Sequence, residues 1–174
     1  MRYKYDEALK VAEEIVDWLY IAYSKIIIAG SLRRKKAEVG DIEILVIPNW
    51  DLGGEILETV ICDLIVNMKL DYRLNKQGFK TYGKLNKLLV HCESGIPVDI
   101  FSTTGEKWAT ALVVRTGPKE SNIRICMEAR KLGVKFNAYG SGFSCPDGSK
   151  KVCHSEEDVF KTVGLPCQPP EERR

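Results

Sequence analysis

The sequence predicts an α+β fold in two parts, a mixed α/β unit over residues 1–116 and a smaller α+β unit over residues 117–174. Two observations predict it. Up to about residue 116, stretches with apolar residues at helical spacing alternate with short β-branched runs. Beyond the chain-breaking pair Gly117-Pro118, one helical stretch gives way to short strands and turns.

Each element has its own warrant. Ala8, Val11, Ala12, Ile15, Val16 and Leu19 recur at helical spacing and predict an amphipathic helix over residues 5–20. Lys25 to Ala29 is a β-branched run, a buried strand that stops at Gly30-Ser31. A basic segment over 32–39 has room for one helical turn. Asp41 to Ile47 reads as the next strand, ended by Pro48 and Asn49. Gly53-Gly54 opens a helical stretch to about Asn67, with Ile56, Leu57, Val60, Ile61, Leu64 and Ile65 on one side. Residues 70–101 read as short strands, in which Lys87 to Cys92 and Ile96 to Phe101 flank a Glu93-Ser94-Gly95 turn. A helix is expected from about Lys107 to Val113, and another from Ser121 to Leu132, ended by Gly133. Short strands come next, within 135–153. Ser155-Glu156-Glu157-Asp158 has the composition of a helix start with acidic residues in its first turn.

Composition bounds the classes. With 44% hydrophobic and 29% charged residues, the chain can bury a core. The net charge of +2 neither demands nor excludes a nucleic-acid partner, because phosphate contacts are made by local patches. No apolar run approaches the roughly 18 residues that span a membrane. The N-terminus lacks the apolar stretch of a signal peptide. The expected setting is cytoplasmic, with no membrane partner. Six cysteines include Cys145 and Cys153 near His154, but no CxxC pair, so free thiols are expected rather than zinc. His91 and His154 sit in no catalytic arrangement and read as structural or exposed.

Three carboxylates carry the chemistry. Gly30-Ser31-Leu32-Arg33-Arg34 is followed by Gly40-Asp41-Ile42-Glu43-Ile44, and far downstream by Val98-Asp99-Ile100-Phe101. Asp41 and Glu43 are two apart in a strand-like run and share a face. Asp99 alternates with Val98 and Ile100, so it too points away from a core. Carboxylates gathered without cations repel one another, so the set implies bound Mg²⁺ or Mn²⁺, two ions. Asp41 and Glu43 suit bridging positions between two metals, and Asp99 would complete the metal that activates an attacking hydroxyl. Gly30 lets a backbone approach phosphate closely, Ser31 offers a hydroxyl and an amide, and Arg33 and Arg34 offer forked donors. Gly40 removes a side chain beside Asp41. The expected chemistry is metal-dependent nucleotidyl transfer.

The ordered motifs GSLRR, GDIEI and VDIF resemble the palm of the DNA polymerase β family, family X, within the nucleotidyltransferase superfamily. Arg115-Thr116-Gly117-Pro118 with Asn122 and Arg124 resembles the segment leading into that family's nucleotide-facing helix. Ser155 to Phe160, Gly164-Leu165-Pro166 and Pro169-Pro170-Glu171 resemble the end of its thumb. The resemblance implies an α+β fold: a palm with a mixed sheet and helices on one side, plus a small α+β thumb. It implies Asp41, Glu43 and Asp99 as the catalytic, metal-binding carboxylates. It implies Ser31, Arg34 and Gly40 at the β and γ phosphates, Thr116 and Gly117 under the sugar, and Asn122 at the base.

The activity implied is a DNA-directed polymerase adding dNTPs to a DNA 3′ end in short-gap repair, in a minimal palm-plus-thumb form similar to small viral polymerases. A monomer is expected, with Lys35, Lys36, Lys119, Arg124, Arg130, Lys131 and Lys135 gripping primer-template or gapped DNA. Two departures stand out. Val114 and Arg115 replace an aromatic pair that helps exclude ribonucleotides, and Cys126 replaces a template-touching arginine. The alternatives are transfer to an RNA end, a small molecule or a protein, or a non-catalytic nucleotide-binding module.

Overall fold

The computed structural model describes residues 1–51, 54–75 and 77–173. The chain divides into two units, Met1–Thr103 and Thr104–Arg174. This break lies upstream of the expected one at 116/117. Val113 packs with Val159 and Phe160 in a common core, so the helix before Gly117 belongs with the residues downstream of it. The Gly117-Pro118 pair marks a turn between two helices of one unit rather than a domain edge.

The first unit runs β1 (Tyr3–Lys4), α1 (Tyr5–Trp18), β2 (Tyr23–Ile28), α2 (Gly30–Arg33), β3 (Glu38–Val39), β4 (Ile42–Pro48), β5 (Trp50–Asp51), β6 (Gly54–Glu55), α3 (Ile56–Val66), β7 (Leu70–Tyr72), β8 (Asn86–His91) and β9 (Pro97–Ser102). Gly53, expected to open the second helix, lies outside the described residues. The main sheet has the order β2-β4-β9-β8-β7. β4 and β9 are parallel and the other neighbours antiparallel, so the sheet is mixed.

One face of this sheet carries the core. Ile42, Ile44, Val98, Ile100 and Leu89 project from it and are fully buried, against Ala8, Ala12 and Ile15 of α1 and Leu57 and Ile61 of α3. The helical spacing read in the sequence is the spacing of these contacts. Burying each such aliphatic side chain stabilises the fold by about 1.5–3 kcal/mol relative to exposure. His91 is part of the same packing: its Nδ1 lies 2.8 Å from Ser94 Oγ, and its ring stacks 5.6 Å from Trp18. Both facts fit a structural role.

The second unit runs α4 (Trp108–Thr116), α5 (Lys119–Lys131), β10 (Lys135–Phe136), β11 (Gly142–Ser144), β12 (Lys150–Val152) and α6 (Glu156–Thr162). The three strands form one antiparallel sheet, β10-β11-β12. Its core joins Val113, Ile125, Ala129, Phe136, Phe143, Val159 and Phe160. Ser155 caps α6 with a reciprocal pair: its hydroxyl accepts from the Asp158 N–H at 3.0 Å, and Asp158 Oδ2 accepts from the Ser155 N–H at 3.0 Å. All six cysteines are free thiols. Among the described residues, no helix is long and apolar enough to cross a membrane.

Candidate active site

The sheet face opposite α1 and α3 carries the candidate site. Residues paired across neighbouring strands share a face. In the β4–β9 pair Glu43 stands opposite Asp99, and in the β8–β9 pair Leu88 stands opposite Asp99. The alternation that buries Ile42, Ile44, Val98 and Ile100 therefore sends Glu43 and Asp99 to the other side together. Asp41 does not lie inside the strand as expected. The ladder starts at Ile42, and Asp41 occupies the bend that leads into it, because Gly40 and Asp41 turn the chain from β3 into β4. Asp41, Glu43 and Asp99 are all half-buried.

The Gly30-Ser31 turn sits against this row. Gly30 has φ +59°, and a Cβ built there would overlap Glu43 Oε2 and lie 2.9 Å from its Cδ. Glycine is thus required twice, for the left-handed backbone and for the space Glu43 fills. The Ala29 N–H donates to the Glu43 carbonyl at 2.7 Å, joining the end of β2 to β4 at this point. α2 begins at Gly30, closed by Arg33 N–H to Ala29 O at 3.1 Å and Arg34 N–H to Gly30 O at 3.2 Å. The Ser31 hydroxyl is shielded from water and has no hydrogen-bond partner among the described residues. Leaving such a group unsatisfied costs about 1–3 kcal/mol, a cost that a bound oxygen acceptor would remove. Arg33 and Arg34 are half-buried, and Lys35 and Lys36 are exposed. Gly40 differs from Gly30: a Cβ there would meet nothing within 4 Å, so the chain itself does not demand glycine.

Sequence reasoning missed Arg73. It follows β7 directly; its backbone N–H donates to Leu88 O at 3.1 Å and its Nε to Leu89 O at 3.2 Å. Its Nη2 pairs with Asp99 Oδ1. A single arginine after a short strand carries no such signal; only the strand order brings it within reach of β9.

The donor chemistry suits hard divalent cations, since every candidate ligand is a carboxylate oxygen. Glu43 and Asp99 start from adjacent strands about 4.8 Å apart, a span that side-chain rotation can close. Among the described residues, no three acidic, histidine or cysteine side chains are already drawn together as a formed ion site. The Asp99 carboxylate rests instead against the Arg73 guanidinium.

In the second unit, Thr116 and Gly117 are buried at the end of α4. Asn122 Nδ2 donates to Val114 O at 2.9 Å, tying the start of α5 to α4, while Oδ1 is shielded and has no hydrogen-bond partner among the described residues. Half of its amide is therefore structural, which base-contact reasoning did not foresee. Lys119, Arg124, Arg130 and Lys135 are exposed. Lys131 is exposed too, but it pairs with Glu128 at 2.8 Å. At the two departures from the family pattern, Arg115 stacks its guanidinium 5.9 Å from the Tyr139 ring, and Cys126 is exposed.

Comparison with known proteins bears on both units. Residues 111–174 match the family model of the DNA polymerase beta thumb. Along 99% of its length the chain is similar to the DNA polymerase/3′-5′ exonuclease PolX of Bacillus subtilis (strain 168), with 28% identity over 177 residues. The chain spans 28% of the length of that relative. The fold is α+β, with a mixed five-stranded sheet and helices followed by a segment that matches the polymerase β thumb model. The resemblance read from the motifs is thus borne out: the chain is similar to the family X DNA polymerases, and residues 111–174 are matched as their thumb.

Proposed function

We propose that the chain is a metal-dependent DNA polymerase that adds dNTPs to a DNA 3′ hydroxyl with release of pyrophosphate, in short-gap repair synthesis. One observation carries the reading: Glu43 and Asp99 stand opposite each other on the open sheet face, with the Gly30-Ser31 turn packed against Glu43. The similarity to family X supports it.

Asp41, Glu43 and Asp99 would hold two Mg²⁺ or Mn²⁺ ions, which when bound would neutralise charge on the attacking and leaving oxygens. The remaining work belongs to the chain. Ser31 and Arg34 donate to the β and γ phosphate oxygens. Gly40, unobstructed by its own chain, leaves room for the triphosphate beside Asp41. Asp99 accepts the proton of the 3′ hydroxyl or orients that hydroxyl. Thr116 and Gly117 support the sugar, and Asn122 contacts the base. Lys35, Lys36, Lys119, Arg124, Arg130 and Lys131 hold DNA phosphates.

The test is extension of a one-nucleotide gapped duplex with Mg²⁺ or Mn²⁺, dNTP against NTP, with Glu43→Gln as the control. Template-dependent addition that Glu43→Gln abolishes is the expected result. Activity indifferent to template, or to the Glu43→Gln change, overturns the reading.

A further inference from the structure

We infer that Arg73 is a positioning residue for Asp99, an inference that rests on the function proposed above. The three strands β7, β8 and β9 lie side by side, with Tyr72 opposite Leu89 and Leu88 opposite Asp99. Arg73, one residue past Tyr72, falls in the same cross-strand row as Leu88, Asp99 and Glu43. Its side chain reaches over Leu88 on the open face and ends on Asp99 Oδ1. The arginine is fixed at two other points, by its backbone N–H on Leu88 O and by Nε on Leu89 O. Both anchors are carbonyls of β8, the strand between arginine and aspartate. The guanidinium therefore has little freedom, and neither has the carboxylate oxygen it holds. The side chains are only 28% and 14% exposed, which limits competition from water.

The contact acts on Asp99 in two ways. First, holding Oδ1 from the β8 side sets the plane of the Asp99 carboxylate, and with it the direction of Oδ2. Second, the guanidinium places a permanent positive charge within a row that otherwise carries two carboxylates. Asp99 keeps its aim with no ion bound, so the third ligand does not have to be ordered at the moment of binding. Arg73 thus acts through Asp99 and need not touch the nucleotide.

The experiment compares the wild-type chain with Arg73→Ala, Arg73→Gln, Arg73→Lys and Asp99→Ala. Each is measured by Mn²⁺ titration followed by electron paramagnetic resonance without nucleotide or DNA, and by steady-state gap filling. Arg73→Ala is expected to weaken Mn²⁺ binding and to lower kcat by about 10- to 100-fold, the usual effect of losing a partner of a metal ligand. The KM for dNTP should stay within about threefold, because the triphosphate contacts lie elsewhere. Arg73→Lys, which keeps the charge and loses the fork, should recover part of both losses. Arg73→Gln keeps a polar stem on the edge of the sheet and carries the same expectation as Arg73→Ala, so a misfolded alanine variant leaves the test intact. If Asp99→Ala loses Mn²⁺ affinity and extension while Arg73→Ala and Arg73→Gln keep both at wild-type level, the positioning role is overturned and the proposed function stands. If Asp99→Ala itself keeps both, the proposed function falls and this inference with it.

Discussion

Glu43 occupies the space that a side chain at residue 30 would need: a Cβ on Gly30 would sit 2.9 Å from Glu43 Cδ and 3.2 Å from its Cβ. The turn and the carboxylate are therefore one structural decision. A longer acid at position 43 and a glycine at position 30 require each other.

Gly30→Ala combines a left-handed backbone, which costs a side-chain-bearing residue about 1–2 kcal/mol, with a collision against Glu43. Adding Glu43→Asp shortens the acid and relieves the overlap with its end, but neither the 3.2 Å approach to the residue 43 Cβ nor the backbone cost. The double variant Gly30→Ala/Glu43→Asp should therefore melt above Gly30→Ala and below wild type. Thermal unfolding followed by circular dichroism decides it; a double variant no more stable than Gly30→Ala would separate the two residues.

Gly40 offers the opposite case. Its missing side chain serves no packing need within the chain. Gly40→Ala should unfold at the wild-type temperature, while under the proposed function its KM for dNTP rises several-fold. A changed melting temperature with an unchanged KM would assign the glycine to folding instead.

The buried Lys87 gives a stability prediction away from the site. It is 1% exposed, with Nζ 3.4 Å from Glu58 Oε2 and 3.5 Å from Glu55 Oε1, and it donates to Gly83 O at 3.2 Å. Removing the cation leaves the largely buried Glu55 carboxylate without it, whereas Glu58 is partly solvated. Lys87→Ala should lower the unfolding free energy by about 3–5 kcal/mol, as for other buried pairs that lose one partner, measured by urea denaturation. Adding Glu55→Gln to Lys87→Ala should recover part of that loss.

The cap of α6 predicts a pH effect. The Asp158 carboxyl lies below its ordinary 3.8, chiefly because the His154 backbone N–H donates to it at 2.9 Å, with further help from Ser155. The folded pKa is depressed, so this stabilisation is present above about 3.8 and is lost as pH falls through the lowered folded value. Asp158→Asn should flatten that part of the stability–pH profile between pH 5 and the acid limit of the fold. Ser155→Ala removes the other half of the cap and should cost about 1 kcal/mol. Melting curves across pH 3 to 6 for the three proteins check both statements.

Much of the fold was legible because its signals are local. The helical spacing of Ala8, Val11, Ala12 and Ile15 and the alternation around Ile42 and Val98 each reflect one face of one element. The shared face of Glu43 and Asp99 was legible for the same reason, whereas Asp41, expected inside the strand, stands in the bend before it. The hidden parts depend on register and strand order. That β4 and β9 pair in parallel, with Glu43 beside Asp99, is decided by the whole sheet rather than by either segment. Arg73 was invisible because its partner lies two strands away. The division at Thr103 differs from the expected 116/117 because Gly117-Pro118 is a strong local signal, whereas the core that Val113 and Phe160 share is a long-range one.

The strand order has a consequence for biosynthesis. β9 is the last strand of the main sheet to be translated, yet it lies in the middle, between β4 and β8. Until residue 102 has been made, β4 and β8 each present a bare edge, open to wrong partners. Insertion of the final strand covers both edges at once and delivers Asp99 in the same step. A nascent or truncated chain that stops before Pro97 is therefore adhesive as well as incomplete, and the moment it ceases to be adhesive is the moment Asp99 arrives beside Glu43.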